Sequence, residues 1–315
     1  MIPEAWLAEA RGRIEKHIHH TPLTYDAARN LYIKWENHQV TGSFKARGAL
    51  NKVLTLLDWE QEMGLVTASA GNHGQGVALA GRLVGAPVTV FASKDAPAVK
   101  LNAMRELGAN VQLVDGGYHD AEEAGLVFAR RNQASWVSPY NDGHIIAGQS
   151  TIVQEIIDQQ SETKDAAWIV PVSGGGLLAG IGAALAQLNN PPRLIGVQAE
   201  SAAFMHGLFY RDIQEGIEDL PSLADGLAGA VENGSITVPL IKKYVDEIIL
   251  ISEGEIGRAI AFAWYEYHEK IEGSAAVGLA AILSGRVEAR PAVVVISGGN
   301  IQPEIHAEIC GRYEA

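Results

Sequence analysis

The sequence lacks the features that would place it in a membrane or in an oxidising compartment. Cys310 is the only cysteine among its 315 residues, so no disulfide can form within the chain. No apolar run approaches the roughly 20 residues that a membrane-spanning helix needs. The first 20 residues also lack the apolar core of a signal peptide. These absences predict a soluble protein of the cytoplasm.

Positive charge is scarce as well. The chain carries 24 lysines and arginines against 37 aspartates and glutamates, which gives a formal net charge of −13 at pH 7. Nucleic-acid binding requires a basic surface that neutralises phosphates, so the composition argues against a nucleic-acid partner. The total charge does not exclude a small anionic ligand, which one local basic pocket could receive.

What the sequence does have is an alternation of strand and helix patterns. Hydrophobic residues make up 47% of the chain and charged residues 19%, as in globular proteins. Nine short runs, several of them apolar at most positions like parallel strands covered on both faces, are predicted strands: 31–35, 64–69, 86–93, 109–115, 135–140, 166–173, 193–200, 246–252 and 291–297. Helical patterns lie between them, among others at 71–85, 98–108, 118–132 and 176–188.

This alternation predicts an α/β fold made of two doubly wound open-sheet domains. We expect a large domain formed by residues 1–48 together with 143–315, and a small domain formed by residues 49–142. No proline-rich, serine-rich or charged linker separates the two. The boundary between them must therefore be a compact crossover.

The residues just after each strand are the candidates for a site, because ligands of open α/β sheets bind beyond the carboxyl ends of the strands. Lys45, in "TGSFKARGA" (41–49), lies at a predicted turn that leads into a helix. A solvated surface lysine is the ordinary interpretation of such a residue. A partly desolvated lysine would instead have a lowered pKa and could form a Schiff base with a carbonyl cofactor.

Two further strand ends are rich in small residues. In "TASAGNHGQG" (67–76), backbone N–H groups would suit a carboxylate, although Asn72 could instead cap a helix and His73 could be a surface residue. In "PVSGGGLLAGIGAAL" (171–185), three glycines at a helix start would suit a phosphate. A tight packing turn without a ligand is the alternative for these glycines.

The last predicted strand ends in "VVVISGGN" (293–300), where the Ser297 hydroxyl could bond a ligand heteroatom or cap a helix. Tyr140, Asn141 and Asp142 also follow a predicted strand and are candidates for a substrate pocket. A turn lysine, an anion-binding turn, a phosphate cradle and a polar group after the last strand together describe a pyridoxal phosphate site.

The sequence resembles the fold type II pyridoxal phosphate enzymes, which are tryptophan synthase β-like, and within them the serine/threonine dehydratase and serine racemase branch. The matching stretches fall in order across nearly the whole chain: "TPL" (21–23), "TGSFKARGA" (41–49), "SAGNHGQG" (69–76), "IAGQST" (146–151), "PVSGGGLLAGI" (171–181), "ADGLA" (224–228) and "SGGNI" (297–301). Cysteine and cystathionine synthases usually lack the phenylalanine before the lysine and match less well.

The resemblance implies a role for each matching residue. Lys45 would bind the cofactor covalently and remove the Cα proton of the substrate, with Phe44 beside the cofactor ring. Asn72 would bond the phenolic oxygen, Ser297 would face the pyridine nitrogen, and Glu272 would lie near the cofactor. The phosphate would be held by Ser173, Gly174, Gly175, Gly176 and Leu177. The substrate carboxylate would be received by Ser69, Ala70, Gly71, Asn72 and His73.

The sequence departs from that branch at several positions. Ala70 stands where serine racemases have a serine that acts as the base on the opposite face, so racemisation is disfavoured. Those racemases bind a divalent cation through a Glu, a carbonyl and an Asp. Here Glu200 and Phe204 match the first two, but His206 replaces the Asp and suits Mg²⁺ or Ca²⁺ poorly, although an imidazole could suit a transition metal. No metal is therefore assigned. Ser173 replaces a glycine that is usual in dehydratases.

The implied function is the dehydration and deamination of a β-hydroxy amino acid to a 2-oxo acid and ammonia, with L-threonine or L-serine as the default substrate. A dehydratase for another substrate such as 3-hydroxyaspartate is the first alternative, and an amino-acid racemase is the second. A nicotinamide oxidoreductase would also use a glycine-rich turn, and a non-catalytic cofactor-binding relative is a further class. We expect a homodimer. The sequence ends without the regulatory domain of biosynthetic threonine dehydratases, so isoleucine feedback is not expected.

Overall fold

Two sheets with ten strands in all are present in the computed structural model, which describes residues 1–313. The strands are β1 (Leu23–Asp26), β2 (Leu31–Trp35), β3 (Leu65–Ala68), β4 (Val88–Ser93), β5 (Asn110–Val114), β6 (Ser135–Trp136), β7 (Ala167–Pro171), β8 (Leu194–Ala199), β9 (Glu247–Ile251) and β10 (Ala292–Ile296). The larger sheet has the order β1-β2-β10-β7-β8-β9, and the smaller has the order β5-β4-β3-β6. β1 is antiparallel to β2, and all other neighbouring pairs are parallel.

Helices connect the parallel strands. They are α1 (Glu4–Ile14), α2 (Lys45–Val53), α3 (Asp58–Glu62), α4 (Asn72–Val84), α5 (Ala98–Glu106), α6 (Tyr118–Asn132), α7 (Gly143–Gln159), α8 (Gly176–Leu185), α9 (Phe204–Arg211), α10 (Thr237–Tyr244), α11 (Glu253–Tyr267), α12 (Gly273–Leu283) and α13 (Pro303–Arg312). None of these helices within residues 1–313 combines the length and the apolar character that a membrane crossing would need.

The larger sheet is covered by helices on both faces, which confirms the predicted doubly wound fold. Every residue of β7, β8 and β10 is buried. Along β10, Val293 and Val295 join the core cluster that contains α8, whereas Val294 and Ile296 join the cluster that contains α12. Successive side chains of a strand point to opposite faces. A strand buried on both faces therefore reads as a continuous apolar run.

Nine of the ten strands coincide with the predicted ones, and β1 was not predicted. β1 is a four-residue edge strand whose side chains are all at least partly exposed, so it leaves no apolar pattern in the sequence. The predicted strand at 135–140 pairs as a strand only at Ser135 and Trp136. Beyond it Pro139 has no N–H to donate to a neighbouring strand.

The strands of the smaller sheet all fall within the predicted small domain, and those of the larger sheet fall within the predicted large domain. The first predicted boundary, at residue 48, lies inside α2. The second coincides with the start of α7. The division of the chain at these two positions stays a prediction.

Candidate active site

A cavity of about 490 Å³ lies at the carboxyl ends of strands from both sheets. All the residues predicted for the cofactor and the substrate line it: Phe44, Lys45, Ser69, Ala70, Gly71, Asn72, His73, Ser173, Gly174, Gly175, Gly176, Leu177, Glu272 and Ser297. The fold therefore brings together the four strand-end segments that the sequence singled out.

Of the three residues after β6 that were predicted for the pocket, Tyr140 lines the cavity, but Asn141 and Asp142 do not. Asp142 instead caps α7, because its Oδ1 accepts a hydrogen bond from the backbone N–H of His144 at 2.7 Å. The Asn141 side chain donates to Glu232 at 2.7 Å. The prediction for these two residues is wrong because a helix cap uses the Asp142 carboxylate, and contacts with a distant segment use the Asn141 amide.

Lys45 is the first residue of α2, and its Nζ donates a hydrogen bond to the carbonyl oxygen of Pro139 at 3.0 Å. The centroid of the Phe44 ring lies 5.2 Å from Nζ. Burial lowers the pKa of Lys45 to about 8, although the charge of Glu272 opposes the shift. The interpretation as a solvated surface lysine is therefore wrong. A substantial fraction of this amine is neutral at mildly alkaline pH, as attack on a carbonyl requires.

Backbone contacts hold the start of α2 beside the end of β10. Ser43 and Gly298 form an isolated antiparallel bridge. The N–H of Phe44 donates to the carbonyl of Ser297 at 3.0 Å, and the N–H of Gly299 donates to the carbonyl of Gly42 at 2.9 Å. Lys45 and Ser297, which are 252 positions apart in the sequence, are thereby fixed in the same cavity.

The turn after β3 presents backbone donors at the start of α4. The hydroxyl of Ser69 accepts a hydrogen bond from the N–H of Gly71 at 3.1 Å, which closes a tight turn before the helix. The first N–H groups of a helix have no partner within the helix, so this end of α4 favours an anion. A Cβ at Gly76 would lie 3.1 Å from the carbonyl oxygen of Lys45. Glycine therefore lets α4 approach the lysine helix closely.

The His73 ring is used for structure. Its Nε2 lies 3.0 Å from the carbonyl oxygen of Val137, so Nε2 must carry the proton and donate it. Burial lowers the pKa of His73 to about 3, and the charge of Lys45 adds to the effect. The ring is thus neutral, and His73 adds no positive charge to the cavity.

The glycine-rich loop after β7 leads into α8. Gly175 has a φ of +91°, a left-handed conformation that favours glycine. A Cβ at Gly176 would lie 3.0 Å from Cα of Tyr140, so the loop packs directly against the segment that follows β6. The hydroxyl of Thr237 donates to the carbonyl oxygen of Gly174 at 2.6 Å. This hydrogen bond gives the carbonyl of the loop a partner outside the loop.

A chain of polar side chains runs from Glu272, which lines the cavity, to the loop before α2. Asn72 Nδ2 donates to Glu272 Oε1 at 2.7 Å, and Asn300 Nδ2 donates both to Asn72 Oδ1 at 2.7 Å and to the carbonyl oxygen of Thr41 at 2.8 Å. Burial raises the pKa of Glu272 to about 7, and the charge of Asp225 adds to the rise. One N–H of the Asn72 amide stays available to a ligand, since an amide nitrogen has two hydrogens.

Several residues of the cavity were not predicted for the site. They come from helix starts and loops, and include Pro97, Lys100, Tyr118, Asp219 and Asp225. Asp225 belongs to "ADGLA" (224–228), one of the stretches that match the resembled family. The resemblance implied no role in the site for Asp225. Lys100 and Tyr118 lie in segments whose helical pattern was recognised, but a helical pattern does not indicate which of its polar residues turns toward a cleft.

Glu200 lies away from the cavity and faces Arg286, with Oε1 3.7 Å from Nη2. The ring of His206 packs against that of Tyr210, with centroids 4.8 Å apart. Within residues 1–313, no three His, Cys, Asp or Glu side chains come together as a group that could hold a metal ion.

The donor set fits a cofactor that has a carbonyl group near one end and a phosphate at the other. A desolvated amine lies at Lys45, and the free N–H groups of the loop that leads into α8 provide the anion site. The hydroxyl of Ser297 faces the same cavity and has no hydrogen-bond partner among the described residues. These features, at the carboxyl ends of the parallel strands of two sheets, define the class of enzymes that use a lysine-bound carbonyl cofactor.

The chain belongs to the pyridoxal-phosphate dependent enzyme family, which matches residues 14–298. The predicted cofactor, pyridoxal phosphate, and the predicted family are confirmed. The L-threonine ammonia-lyase of Thermotoga maritima is 41% identical over 308 residues, which cover 96% of this chain and 76% of that protein.

Two solved structures have closely similar folds. The processed form of threonine deaminase isoform 2 from Solanum lycopersicum has a TM-score of 0.89 at 27% identity, over 99% of this chain and 93% of that one. The serine racemase of Dictyostelium discoideum has a TM-score of 0.86 at 35% identity, over 95% of this chain and 98% of that one.

Proposed function

We propose that this protein is a pyridoxal phosphate-dependent lyase that converts L-threonine to 2-oxobutanoate and ammonia, and L-serine to pyruvate and ammonia. The observation that carries the proposal is the desolvated amine of Lys45 in the same cavity as the two anion-binding turns. The similarity to an L-threonine ammonia-lyase at 41% identity supports the choice of substrate. The substrate loses one water, and the resulting enamine regains one as it releases ammonia.

The residues that would hold the cofactor are those of the cavity. We assign the phosphate to the backbone N–H groups of Ser173 to Leu177, the face of the ring to Phe44, and the pyridine nitrogen to the hydroxyl of Ser297. The free N–H of the Asn72 amide is assigned to the phenolic oxygen. When bound, pyridoxal phosphate supplies an electron sink that stabilises negative charge at the substrate Cα.

Lys45 is the proposed base that removes the Cα proton. Its lowered pKa leaves a usable fraction of neutral amine near neutral pH. The substrate carboxylate would be bound by the remaining backbone N–H groups of the turn from Ser69 to His73, because the His73 ring is already engaged with Val137. Within that turn, the N–H of Ser69 already donates to the carbonyl oxygen of Phe91, and the N–H of Gly71 donates to the Ser69 hydroxyl. Binding at this turn would direct Cα toward Lys45, which lies in the same cavity.

Glu272 is proposed to orient Asn72 rather than to react. Its carboxyl group bonds the Asn72 amide at 2.7 Å, and Asn300 holds the oxygen end of the same amide. With both ends fixed, the Asn72 amide cannot flip, so the remaining N–H keeps one direction.

A neutral hydroxyl at Ser297 would leave the pyridine nitrogen largely unprotonated. That favours prompt loss of the β-hydroxyl group over a long-lived carbanion.

The test is a panel of β-hydroxy amino acids of both stereochemistries, assayed for ammonia and 2-oxo acid with purified holoenzyme. We expect L-threonine and L-serine to be the best substrates. Borohydride reduction should fix the cofactor on Lys45, as read by peptide mass. An enzyme that carries the label there but leaves both substrates unchanged would contradict the proposed reaction and keep the cofactor assignment.

Racemisation is the second candidate, which the similarity to a serine racemase at 35% identity favours. Ala70 lines the cavity at the position that the resemblance assigns to the opposite-face base, and a methyl group cannot transfer a proton. We expect Ala70→Ser to add slow formation of D-serine from L-serine, measured by chiral chromatography, while Ala70→Val does not. Equal racemisation by the wild type and both variants would show that position 70 is not involved.

A homodimer and a cytoplasmic location are also proposed. The acidic, cysteine-poor composition is consistent with a reducing compartment. Light scattering of the purified protein, read against the monomer mass of 33.6 kDa, tests the dimer.

A further inference from the structure

The charged side chains that line the cavity are few. The lysines are Lys45 and Lys100, and the acids are Asp219, Asp225 and Glu272. No arginine lines the cavity among the described residues. Lys45 is assigned to the cofactor and to proton transfer. Among the residues 1–313 that line the cavity, Lys100 is therefore the remaining lysine that could receive a second carboxylate of a substrate.

The positive charge of Lys100 is already balanced by a carboxylate. Its Nζ lies 2.7 Å from Asp225 Oδ2. Lys100 is in the first turn of α5, which connects β4 and β5 of the smaller sheet. Asp225 begins the short 3₁₀ turn Asp225–Leu227, which lies between β8 and β9 of the larger sheet. The N–H of Gly226 donates to the hydroxyl of Ser274 at 2.9 Å, which fixes the backbone next to Asp225. The ion pair therefore joins the two halves of the protein at the cavity.

The other two acids have different partners. Asp219 Oδ2 accepts a hydrogen bond from the backbone N–H of Gly229 at 3.0 Å, and Glu272 bonds Asn72. Neither forms an ion pair with Lys100, whose side chain is only 17% exposed. Asp225 is thus the residue that determines whether the Lys100 charge is available to a ligand.

We propose that the Lys100–Asp225 pair restricts the substrate to amino acids with uncharged side chains and excludes those with a second carboxylate, such as 3-hydroxyaspartate. A carboxylate that leaves water for a cavity needs a cation to replace its hydration. To provide one, Lys100 would have to share its charge between Asp225 and the ligand, and the two carboxylates would repel each other. Threonine and serine bring no such charge. The inference rests on the proposed function and sharpens its substrate class.

The experiment frees Lys100 with Asp225→Asn in the holoenzyme. We expect the ratio of kcat/KM for 3-hydroxyaspartate to that for L-threonine to rise about fivefold at most, because the Asp225 side chain is 59% exposed and water screens its charge. A second readout needs no turnover: calorimetry compares the Kd of succinate with that of butyrate, which has the same chain length and one carboxylate. The variant should bind succinate more tightly and leave butyrate unchanged.

Two controls separate the effect of freeing Lys100 from the general effect of removing a negative charge from the cavity. Lys100→Met combined with Asp225→Asn should lose the gain, because the freed cation is gone. Asp219→Asn removes an acid of the same cavity that has no lysine partner, and it should give no comparable gain. Asp225→Ser serves as a second variant if the asparagine is not tolerated.

Equal gains in the Asp219 and Asp225 variants, or a wild type that deaminates 3-hydroxyaspartate as well as threonine, would overturn the proposal. So would an unchanged preference between succinate and butyrate in the variant. A wild type that deaminates no hydroxy amino acid would contradict the proposed function instead, and the calorimetric comparison would still decide the role of the pair.

Discussion

Lys45→Ala is expected to lower kcat for the deamination of L-threonine by about 10⁴-fold, the upper end of what a positioned acid–base group contributes. The side chain has two proposed tasks, covalent attachment of the cofactor and removal of the Cα proton, and alanine can do neither. Its environment supports both, because the partly buried side chain lines the cavity and its pKa is lowered to about 8. Ammonia and 2-oxo acid formed by the variant, with pyridoxal phosphate in excess, provide the measurement.

Lys52→Ala is the matched control for that variant. Lys52 lies on the same helix, but it pairs with Asp142 at 2.8 Å and is not among the residues of the cavity, so we expect its kcat to stay near that of the wild type. Added methylamine should restore part of the activity of Lys45→Ala, since a small amine can enter the space that the side chain leaves. A Lys45→Ala enzyme with wild-type kcat would exclude this residue as the base.

Most of the candidate site was predictable because it follows a simple rule of topology. Ser69, Ser173 and Ser297 come one or two residues after the buried strands β3, β7 and β10, and all three line one cavity. Parallel strands end at the same edge of a sheet, so polar and small residues after each strand converge there. A continuous apolar run that stops at such residues is a local pattern. It can be recognised in a single sequence without knowing which segments contact it.

The rest of the site depends on contacts between distant segments. Lys100 and Asp225 are 125 positions apart and lie on a helix and a 3₁₀ turn that reach the cavity from opposite sides. Nothing in the local pattern around either residue distinguishes it from a solvated charge on the surface. Their pairing results from how the two sheets are placed relative to each other, which strand and helix periodicity does not specify.

A buried charge network around Arg47 of α2 is likewise not specified by the local sequence pattern. Arg47 donates hydrogen bonds to both carboxylate oxygens of Glu36 at 2.7 Å, and its Nη1 lies 2.9 Å from Glu155 Oε2. Lys34 Nζ lies 2.7 Å from Glu155 Oε1. All four side chains are at most 4% exposed. Two positive and two negative charges are thereby balanced out of contact with water, although Lys34 lies in a strand and Glu155 in a helix 121 positions later.

Glu155→Gln is expected to lower the free energy of unfolding by about 3–5 kcal/mol, the usual cost of leaving a buried charge without its partner. The substitution keeps the shape of the side chain but leaves Lys34 and Arg47 with a single carboxylate, that of Glu36. Because typical domains are stable by only about 5–15 kcal/mol, the loss should move the midpoint of urea unfolding far toward lower urea concentrations. Circular dichroism at increasing urea concentration measures it.

We expect the loss of stability in Glu155→Gln to come from unbalanced buried charge rather than from the loss of one hydrogen bond. Two comparisons separate these causes. Lys34→Met combined with Glu155→Gln removes one charge of each sign and should recover part of the stability. Glu308→Gln, at an exposed pair with Arg312, should change the stability by less than about 1 kcal/mol. A double variant as unstable as the sum of its single changes would contradict charge balance as the cause.

The dependence on pH gives an independent check of the same network. Burial alone would raise the pKa of Glu155, but the charge and the hydrogen bond of Arg47 outweigh it and lower the pKa from 4.5 to about 2. A carboxylate with a lowered pKa stabilises the fold above its ordinary pKa, and that stabilisation is lost as the pH falls toward the lowered value. The difference in stability between the wild type and Glu155→Gln should therefore be constant above about pH 5 and shrink between pH 4.5 and 2. A difference that stays constant through this range would mean that the charge of Glu155 is not what stabilises the network.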